Sequence, residues 1–257
     1  MSSARSAESK LYYTRAGAGE ELVMLHGATL DHRVLGPLAA ELGRDHRVTR
    51  PDLPGHGRSP APANGYLIAG LARSVLSLMD ELDIGPAWIV GYSLGGLLAL
   101  ELAHRSPERI RGIVLIASGL RLVPGRPIER SSAGRTSAEI EAGAGYESRY
   151  RELVTVAQAL FPMAARDELW DELRRFDFRQ RAPELRVPSL VISGELDHFF
   201  APEVHGEALR LLPHAAGTIL PDTTHGVVFE ESRRCAELVR RFVAGGAAQA
   251  WQTVSER

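Results

Sequence analysis

The run Ala87-Trp88-Ile89-Val90-Gly91-Tyr92-Ser93-Leu94-Gly95-Gly96-Leu97-Leu98-Ala99-Leu100-Glu101-Leu102-Ala103 decides how the rest of the chain is read. Its first four residues are large or β-branched for the most part, which predicts a short buried strand. Its last seven are rich in Ala and Leu, which predicts a helix. A serine caught between the two must occupy a very tight turn with a strained backbone. Gly91 and Gly95 lack the Cβ atoms that would keep strand and helix apart. A serine raised on such a turn is a candidate nucleophile.

Working outward, strand and helix patterns alternate. Leu11–Arg15 has strand character and ends at Gly17-Ala18-Gly19; Glu21–Leu25 is a second strand that runs into His26-Gly27-Ala28. Arg33–Leu42 reads as a helix closed by Gly43, and Arg47–Arg50 as a third strand. Asp52-Leu53-Pro54-Gly55-His56-Gly57-Arg58-Ser59 follows, a fixed loop by its proline and glycines. Leu67, Leu71, Val75, Leu78, Met79 and Leu82 keep helical spacing across Tyr66–Leu82. Beyond the central run, Ile110–Ala117 and Val187–Ser193 are apolar strands, Pro202–Leu212 a helix, Gly217–Leu220 a short strand and Gly226–Val243 one last amphipathic helix. The tail from Ala244 to Arg257 is expected to fray.

Strands that are apolar along most of their length imply an α/β fold: a mostly parallel sheet with helices on both faces. The rhythm breaks between about Leu120 and Arg186, where helical segments are expected near Glu147–Phe161 and Arg166–Phe176. The predicted organisation is a core of residues 1–120 and 186–257 carrying a helical cap, 121–185. Such a cap would cover the carboxyl ends of the strands, where open α/β sheets bind their ligands.

The chain has 257 residues and a net charge of -2. That length can bury roughly 75% of the unfolded surface without disulfides or structural metal. Balanced charge gives no electrostatic case for nucleic acid or an anionic membrane as partner. The single cysteine, Cys235, forbids an internal disulfide and is expected to be buried. No spacing suggests a metal site, and no cofactor is expected. Residues Met1–Lys10 lack the apolar core of a signal peptide, and no apolar stretch approaches about 18 residues. A soluble, cytoplasmic protein acting on a small molecule is the expectation. The sequence carries no signal of oligomeric state.

If Ser93 is a nucleophile it needs a base, because a serine hydroxyl is barely ionised at neutral pH. His225 follows the last predicted strand; His104 and His205 fall inside helices, His46 lies at the opposite end of a strand, and His214 on the far side of the sheet. Asp197, just beyond the strand ending at Ser193, is the favoured acid to orient that base, with Glu195 and Asp222 as rivals. An oxyanion would need backbone N–H donors, predicted at Leu94, which opens the helix, and at Ala28, which follows Gly27. Each such donor is worth about 3–4 kcal/mol of barrier. Asp31, His32 and Arg33 either face the substrate or cap the next helix. Arg121, Arg126, Arg130, Arg149 and Arg151 of the cap are read as a solvated face, with contact to an anionic substrate as the alternative.

His26-Gly27-Ala28, Asp52–Ser59, Gly91–Gly96, Gly194-x-x-Asp197 with Pro202, and Thr224-His225-Gly226 together resemble the α/β-hydrolase family. The likeness covers nearly all of residues 11–243 and points to the small capped esterase and enol-lactonase-like branch. It implies Ser93, Asp197 and His225 as a catalytic triad, in that chain order, and the amides of Ala28 and Leu94 as an oxyanion hole. The Asp52–Ser59 loop is mostly structural by the same resemblance, with no catalytic role for His56. Members that displace halide or open epoxides carry a carboxylate where this chain has Ser93, so that chemistry is excluded. The expected activity is hydrolysis of a small or medium ester, lactone or thioester through an acyl-enzyme on Ser93. C–C hydrolysis, lyase or cyclase chemistry with the same triad is the alternative, as is a non-catalytic receptor on this fold.

Overall fold

A computed structural model describes residues 11–123, 130–142 and 148–249. Seven strands form one sheet: β1 Tyr13–Ala16, β2 Glu20–Leu25, β3 His46–Pro51, β4 Ala87–Tyr92, β5 Ile110–Ile116, β6 Ser189–Gly194 and β7 Ala215–Leu220. Their order is β1-β3-β2-β4-β5-β6-β7, with β1 antiparallel to β3 and every other pair parallel. The strand expected at Leu11–Arg15 begins two residues later and ends one later, as the antiparallel edge.

The helices are α1 Gly36–Leu42, α2 Ile68–Glu81, α3 Leu94–Arg105, α4 Ser137–Ala142, α5 Ser148–Leu160, α6 Met163–Arg175, α7 Pro202–Leu211, α8 Val227–Glu230 and α9 Ser232–Gln249. Successive side chains of a strand point to opposite faces, and the core divides accordingly. Val23, Leu25, Ile89, Ile113, Leu115 and Val191 pack with α2, α3 and α7. Leu22, Met24, Trp88, Val90, Val114, Ile116, Leu190 and Ile192 pack with α1, α8 and α9. Helix α3 is buried along ten consecutive residues, Leu94–Ala103, which is why its sequence is apolar nearly all round rather than striped; the exception, Glu101, is paired with Arg105 and Arg181.

Three expectations change. The helix expected over Arg33–Leu42 begins as a 3-10 turn, His32–Leu35, and becomes α-helical at Gly36, where Pro37 fits the first turn. The helix expected over Gly226–Val243 is two, broken at Glu231. Val227, Val228 and Phe229 are all buried. Three neighbours in sequence cannot share the single stripe that α9 buries through Cys235, Ala236, Val239, Phe242 and Val243, so the axis changes between them. Finally, α9 runs on to Gln249 instead of fraying from Ala244, in keeping with the helix propensity of Ala247 and Ala248. Residues 1–10 and 250–257 lie outside the described residues.

Helices α4, α5 and α6 all fall between β5 and β6. Two carboxylates of α6 hold the start of α2: Glu168 accepts from the Tyr66 amide at 3.1 Å and Glu172 from the Ile68 amide at 3.0 Å. These satisfy donors that a helix N-terminus leaves without intrahelical partners. Phe161, Leu169, Leu173, Phe176 and Phe178 join the core on that face of the sheet.

Candidate active site

Ser93 stands between β4 and α3 with φ 53° and ψ -115°, a left-handed conformation that a residue with a side chain rarely takes. Its surroundings hold it there. The Ser93 amide donates to Ile116 O at 3.0 Å, and the Ser93 carbonyl accepts from the Gly96 amide and from Ser118 Oγ, both at 2.9 Å. A Cβ on Gly91 would strike the Gly95 backbone, and one on Gly95 would strike the carbonyl of Leu25, each well inside 3.0 Å. The two glycines thus do what the sequence requires of them.

His225, in the loop between β7 and α8, has Nε2 3.2 Å from Ser93 Oγ and Nδ1 2.9 Å from Asp197 Oδ2. Asp197 is fully buried beyond the end of β6. Its second oxygen, Oδ1, accepts the amides of Phe199 and Phe200, each at 2.9 Å. With the carboxylate accepting at Nδ1, the Nδ1–H tautomer of His225 leaves Nε2 free to accept from the serine hydroxyl. Tyr92 Oη donates to the His225 carbonyl at 3.2 Å, and the rings of Phe199 and Phe200 enclose the imidazole at 4.8 and 6.1 Å between centroids. The adjoining loop is clamped by Glu230, which accepts from the Thr224 amide at 2.7 Å and from Thr224 Oγ1 at 2.5 Å.

The rival acids are engaged elsewhere. Glu195 accepts from the Ser132 amide at 2.8 Å and from the Asp222 amide at 3.0 Å; Asp222 takes a hydrogen bond from Ser131 Oγ. Together they tie residues 131–132 to the loops that carry Asp197 and His225. Three of the other histidines are likewise occupied: His205 lies buried against Ser193 Oγ at 2.9 Å, His46 against Asp45 at 3.0 Å, and His104 against the Phe178 ring.

Ala28 and Leu94 line the same cavity as Ser93 and His225. Leu94 is the first residue of α3, where helix amides have no intrahelical partner. The Ala28 loop is anchored by His26, which is completely buried. His26 Nδ1 lies 2.8 Å from Gly27 O, and Nε2 accepts the Leu53 amide at 2.9 Å. This pairing requires a neutral ring protonated on Nδ1. Burial pushes the His26 pKa down and so favours that neutral form. His56, packed on His26 and on Phe161, is pushed down to about 3, first by burial and then by His26. It holds the loop, through Nδ1 near Pro54 O at 3.0 Å, and faces no catalytic group. Burial pushes the Cys235 thiol up to about 12, so it is no rival nucleophile.

The cavity above Ser93 has a volume of about 210 Å³. Its walls are mostly apolar. Leu122, Val154, Gln158, Trp170 and Leu173 come from the segment between β5 and β6, and His198, Phe199 and Phe200 from the loop after Asp197. Sequence reasoning missed these residues. The spacings 154/158 and 170/173 mark helix faces, but nothing local says which way those faces turn. Of the arginines expected between residues 121 and 185, Arg121 pairs with Glu207 at 3.0 Å and Arg130 donates to Gly134 O at 2.7 Å; these two and Arg151 line neither this cavity nor the one beside it. Arg126 and the side chain of Arg149 lie outside the described residues.

Asp31, His32 and Arg33 do not reach the Ser93 cavity. They line a second one, of about 340 Å³, which shares Thr29 and Leu30 with the first. Asp31 caps the 3-10 turn through the Arg33 amide at 2.9 Å and grips the Arg33 guanidinium at 2.7–3.1 Å. Asp52 accepts from the His32 amide at 2.8 Å, lies 2.7 Å from His32 Nδ1, and accepts from the Arg58 amide at 2.9 Å. One donor atom from each of Asp31, His32 and Asp52 falls within 4.8 Å of the others. Both carboxylates are already satisfied by protein donors, so the trio is a hydrogen-bonded network as it stands.

A nucleophile-type serine on a strand–helix turn, with His and Asp at neighbouring strand ends, defines a hydrolase-type site on a doubly wound sheet. The sequence profile of the alpha/beta hydrolase family matches residues 22–241, and the chain belongs to that family of enzymes. It is 30% identical to the pimeloyl-[acyl-carrier protein] methyl ester esterase of Xanthomonas axonopodis pv. citri, over 89% of this chain and 96% of that one. A putative 2-succinyl-6-hydroxy-2,4-cyclohexadiene-1-carboxylate synthase of Bacillus subtilis is 28% identical, over 88% and 91%. Among solved structures, the enol-lactonase from Burkholderia xenovorans LB400 superposes with a TM-score of 0.75 at 26% identity, covering 91% of this chain and 96% of the other.

Proposed function

We propose that the protein hydrolyses carboxylic esters through an acyl-enzyme on Ser93, and that residues 121–185 act as a cap setting the substrate's shape. The observation that carries this reading is the unbroken hydrogen-bond chain Asp197–His225–Ser93 at the floor of a closed-in, mostly apolar cavity. His225 Nε2 takes the Ser93 hydroxyl proton as Oγ bonds to the ester carbonyl carbon. The carbonyl electron pair moves onto oxygen, where the amides of Ala28 and Leu94 receive it. The C–O bond to the alcohol then breaks, and imidazolium returns the proton to the leaving oxygen. Water repeats the sequence: His225 removes its proton, its oxygen attacks the acyl carbon, and Ser93 leaves with the proton and frees the acid. Asp197 holds the imidazole in its Nδ1–H tautomer and stabilises the imidazolium.

A cavity of about 210 Å³ has room for a short acyl chain or a small alcohol. The Xanthomonas relative is named for a methyl ester, and so small an alcohol suits this space. The substrate is accordingly a small molecule or the accessible end of a larger one. The reading keeps a cytoplasmic location, since the one cysteine leaves nothing for an oxidising compartment to cross-link. No helix among the described residues is long and apolar enough to cross a membrane.

The test is a fluorophosphonate probe followed by peptide mass, together with turnover of p-nitrophenyl esters. Ser93 should carry the label, and Ser93→Ala should lose about 10⁴-fold or more in turnover, because triad members act as a unit. A loss under tenfold would remove Ser93 from the mechanism, and an unlabelled folded protein would favour a receptor. A second reading is favoured by the synthase name of the Bacillus relative: the same triad moving protons without acylation. Rapid-quench mass spectrometry separates the two, since only the hydrolase accumulates an acyl mass on Ser93.

A further inference from the structure

The second cavity is a polar chamber beside the reaction chamber. The two share Thr29 and Leu30, and helix α5 borders both: Val154 and Gln158 face the first, Ala157 and Leu160 the second. Two carboxylates line the chamber, and both are spent. Burial would raise the Asp31 pKa, but hydrogen bonds from Arg33 outweigh it and hold the group ionised; Asp52 is likewise held low against burial by His32 and the Arg58 amide. Arg33 is committed in turn to Asp31.

Arg58 differs. Its backbone amide serves Asp52, while its guanidinium lies 4.7 Å above the Tyr12 ring and has no carboxylate within ion-pair distance among the described residues. Tyr12 is itself fixed, its amide donating to Ser59 Oγ at 3.0 Å and its carbonyl accepting the Asp52 amide at 2.8 Å. A cation stacked on a ring is held in place with its N–H edge free. The geometry points to a subsite for a carboxylate, with Arg58 as the recognising residue and a half-ester of a dicarboxylic acid as the substrate class. The reacting ester sits over Ser93, and the chain passes Thr29 and Leu30 to place its free carboxylate on Arg58. This inference rests on the ester-hydrolase reading and adds the substrate's second functional group.

The experiment compares mono-p-nitrophenyl adipate with p-nitrophenyl hexanoate, equal in chain length and differing in the terminal carboxylate. In wild type the half-ester should have the higher kcat/KM. In Arg58→Gln the ratio of the two kcat/KM values should fall about tenfold or more, the scale of one charge-assisted hydrogen bond, and the change should lie in KM. Arg58→Lys should recover part of it. The Arg58 amide survives both substitutions, so its bond to Asp52 and the loop are retained. A ratio that stays within twofold of wild type overturns the subsite. Calorimetry with adipate itself, on wild type and Arg58→Gln, reads the site without turnover. Binding weakened about tenfold in the variant supports it even if neither ester is cleaved, which would count against the hydrolase reading alone; equal binding overturns it.

Discussion

Replacing Asp197 by Asn changes two atoms' worth of chemistry and almost no shape. Because Oδ1 accepts two backbone amides, from Phe199 and Phe200, the oxygen of an asparagine must remain on that side. Its NH2 group then points at His225 Nδ1, where Asp197 Oδ2 now stands at 2.9 Å. A donor there forces the imidazole into the Nε2–H tautomer, and Nε2 can no longer accept the Ser93 proton across 3.2 Å. The expected loss is about 10⁴-fold in kcat, or about 5 kcal/mol of barrier, with folding stability nearly intact. Asp197→Ala should behave differently. It leaves the Phe199 and Phe200 amides without their acceptor, and each unsatisfied buried donor costs about 1–3 kcal/mol. Ester turnover and urea unfolding of the two variants separate the effects: Asn should be inactive and stable, Ala inactive and destabilised by about 2 kcal/mol or more. An asparagine variant that retains a tenth of wild-type turnover would refute the role of Asp197 in fixing the tautomer. An alanine variant as stable as wild type would refute the claim that the same carboxylate organises its loop.

Gly95→Ala would drive a Cβ into the Leu25 carbonyl, which is sheet backbone and cannot yield, so a loss of about 3 kcal/mol or more is expected by thermal unfolding. Since His56 is depressed to about 3 in the folded protein, its neutral form contributes stability that is fully present above the unfolded value near 6.5. That stability is lost as pH falls toward the folded value, by about 1.4 kcal/mol per unit, or about 2 kcal/mol between pH 6.5 and 5. Urea midpoints across that range should show the slope, and His56→Asn should reduce it. Trp170→Ala removes the largest side chain of the Ser93 cavity wall and should shift preference toward longer acyl chains, read from kcat/KM across a p-nitrophenyl ester series. An unchanged chain-length profile would show that Trp170 does not limit the pocket.

Residues 87–103 could be read in isolation because a buried strand, a tight turn and a buried helix each impose a local rule on the sequence: apolar throughout, glycine at the close approaches, apolar again save for Glu101. The same holds for the loops at His26-Gly27-Ala28 and Asp52–Ser59, whose glycines and prolines record backbone requirements. Position at strand ends brought Ser93, Asp197 and His225 forward as candidates, since a parallel sheet presents all its carboxyl ends along one edge, but it left Glu195 and Asp222 as rival acids. Local rules failed where burial had two directions. Gly226–Val243 keeps helical composition across Glu231, yet Val227–Phe229 and α9 bury different faces and so bend apart. Asp31 and Arg33 could have faced the substrate or capped the next helix, and only the folded chain shows Asp31 capping the 3-10 turn and pairing with Arg33 at 2.7 Å. The cavity walls were the least legible of all. Val154, Trp170 and Leu173 are unremarkable apolar residues on amphipathic helices, and what they line depends on how α5 and α6 settle against α2 and the loops beyond β6 and β7. Chemistry at the turn was thus written in the sequence, because backbone geometry there tolerates few residues. Selectivity was decided by tertiary packing, because many apolar sequences can fill a wall and only the assembled fold says which wall it is.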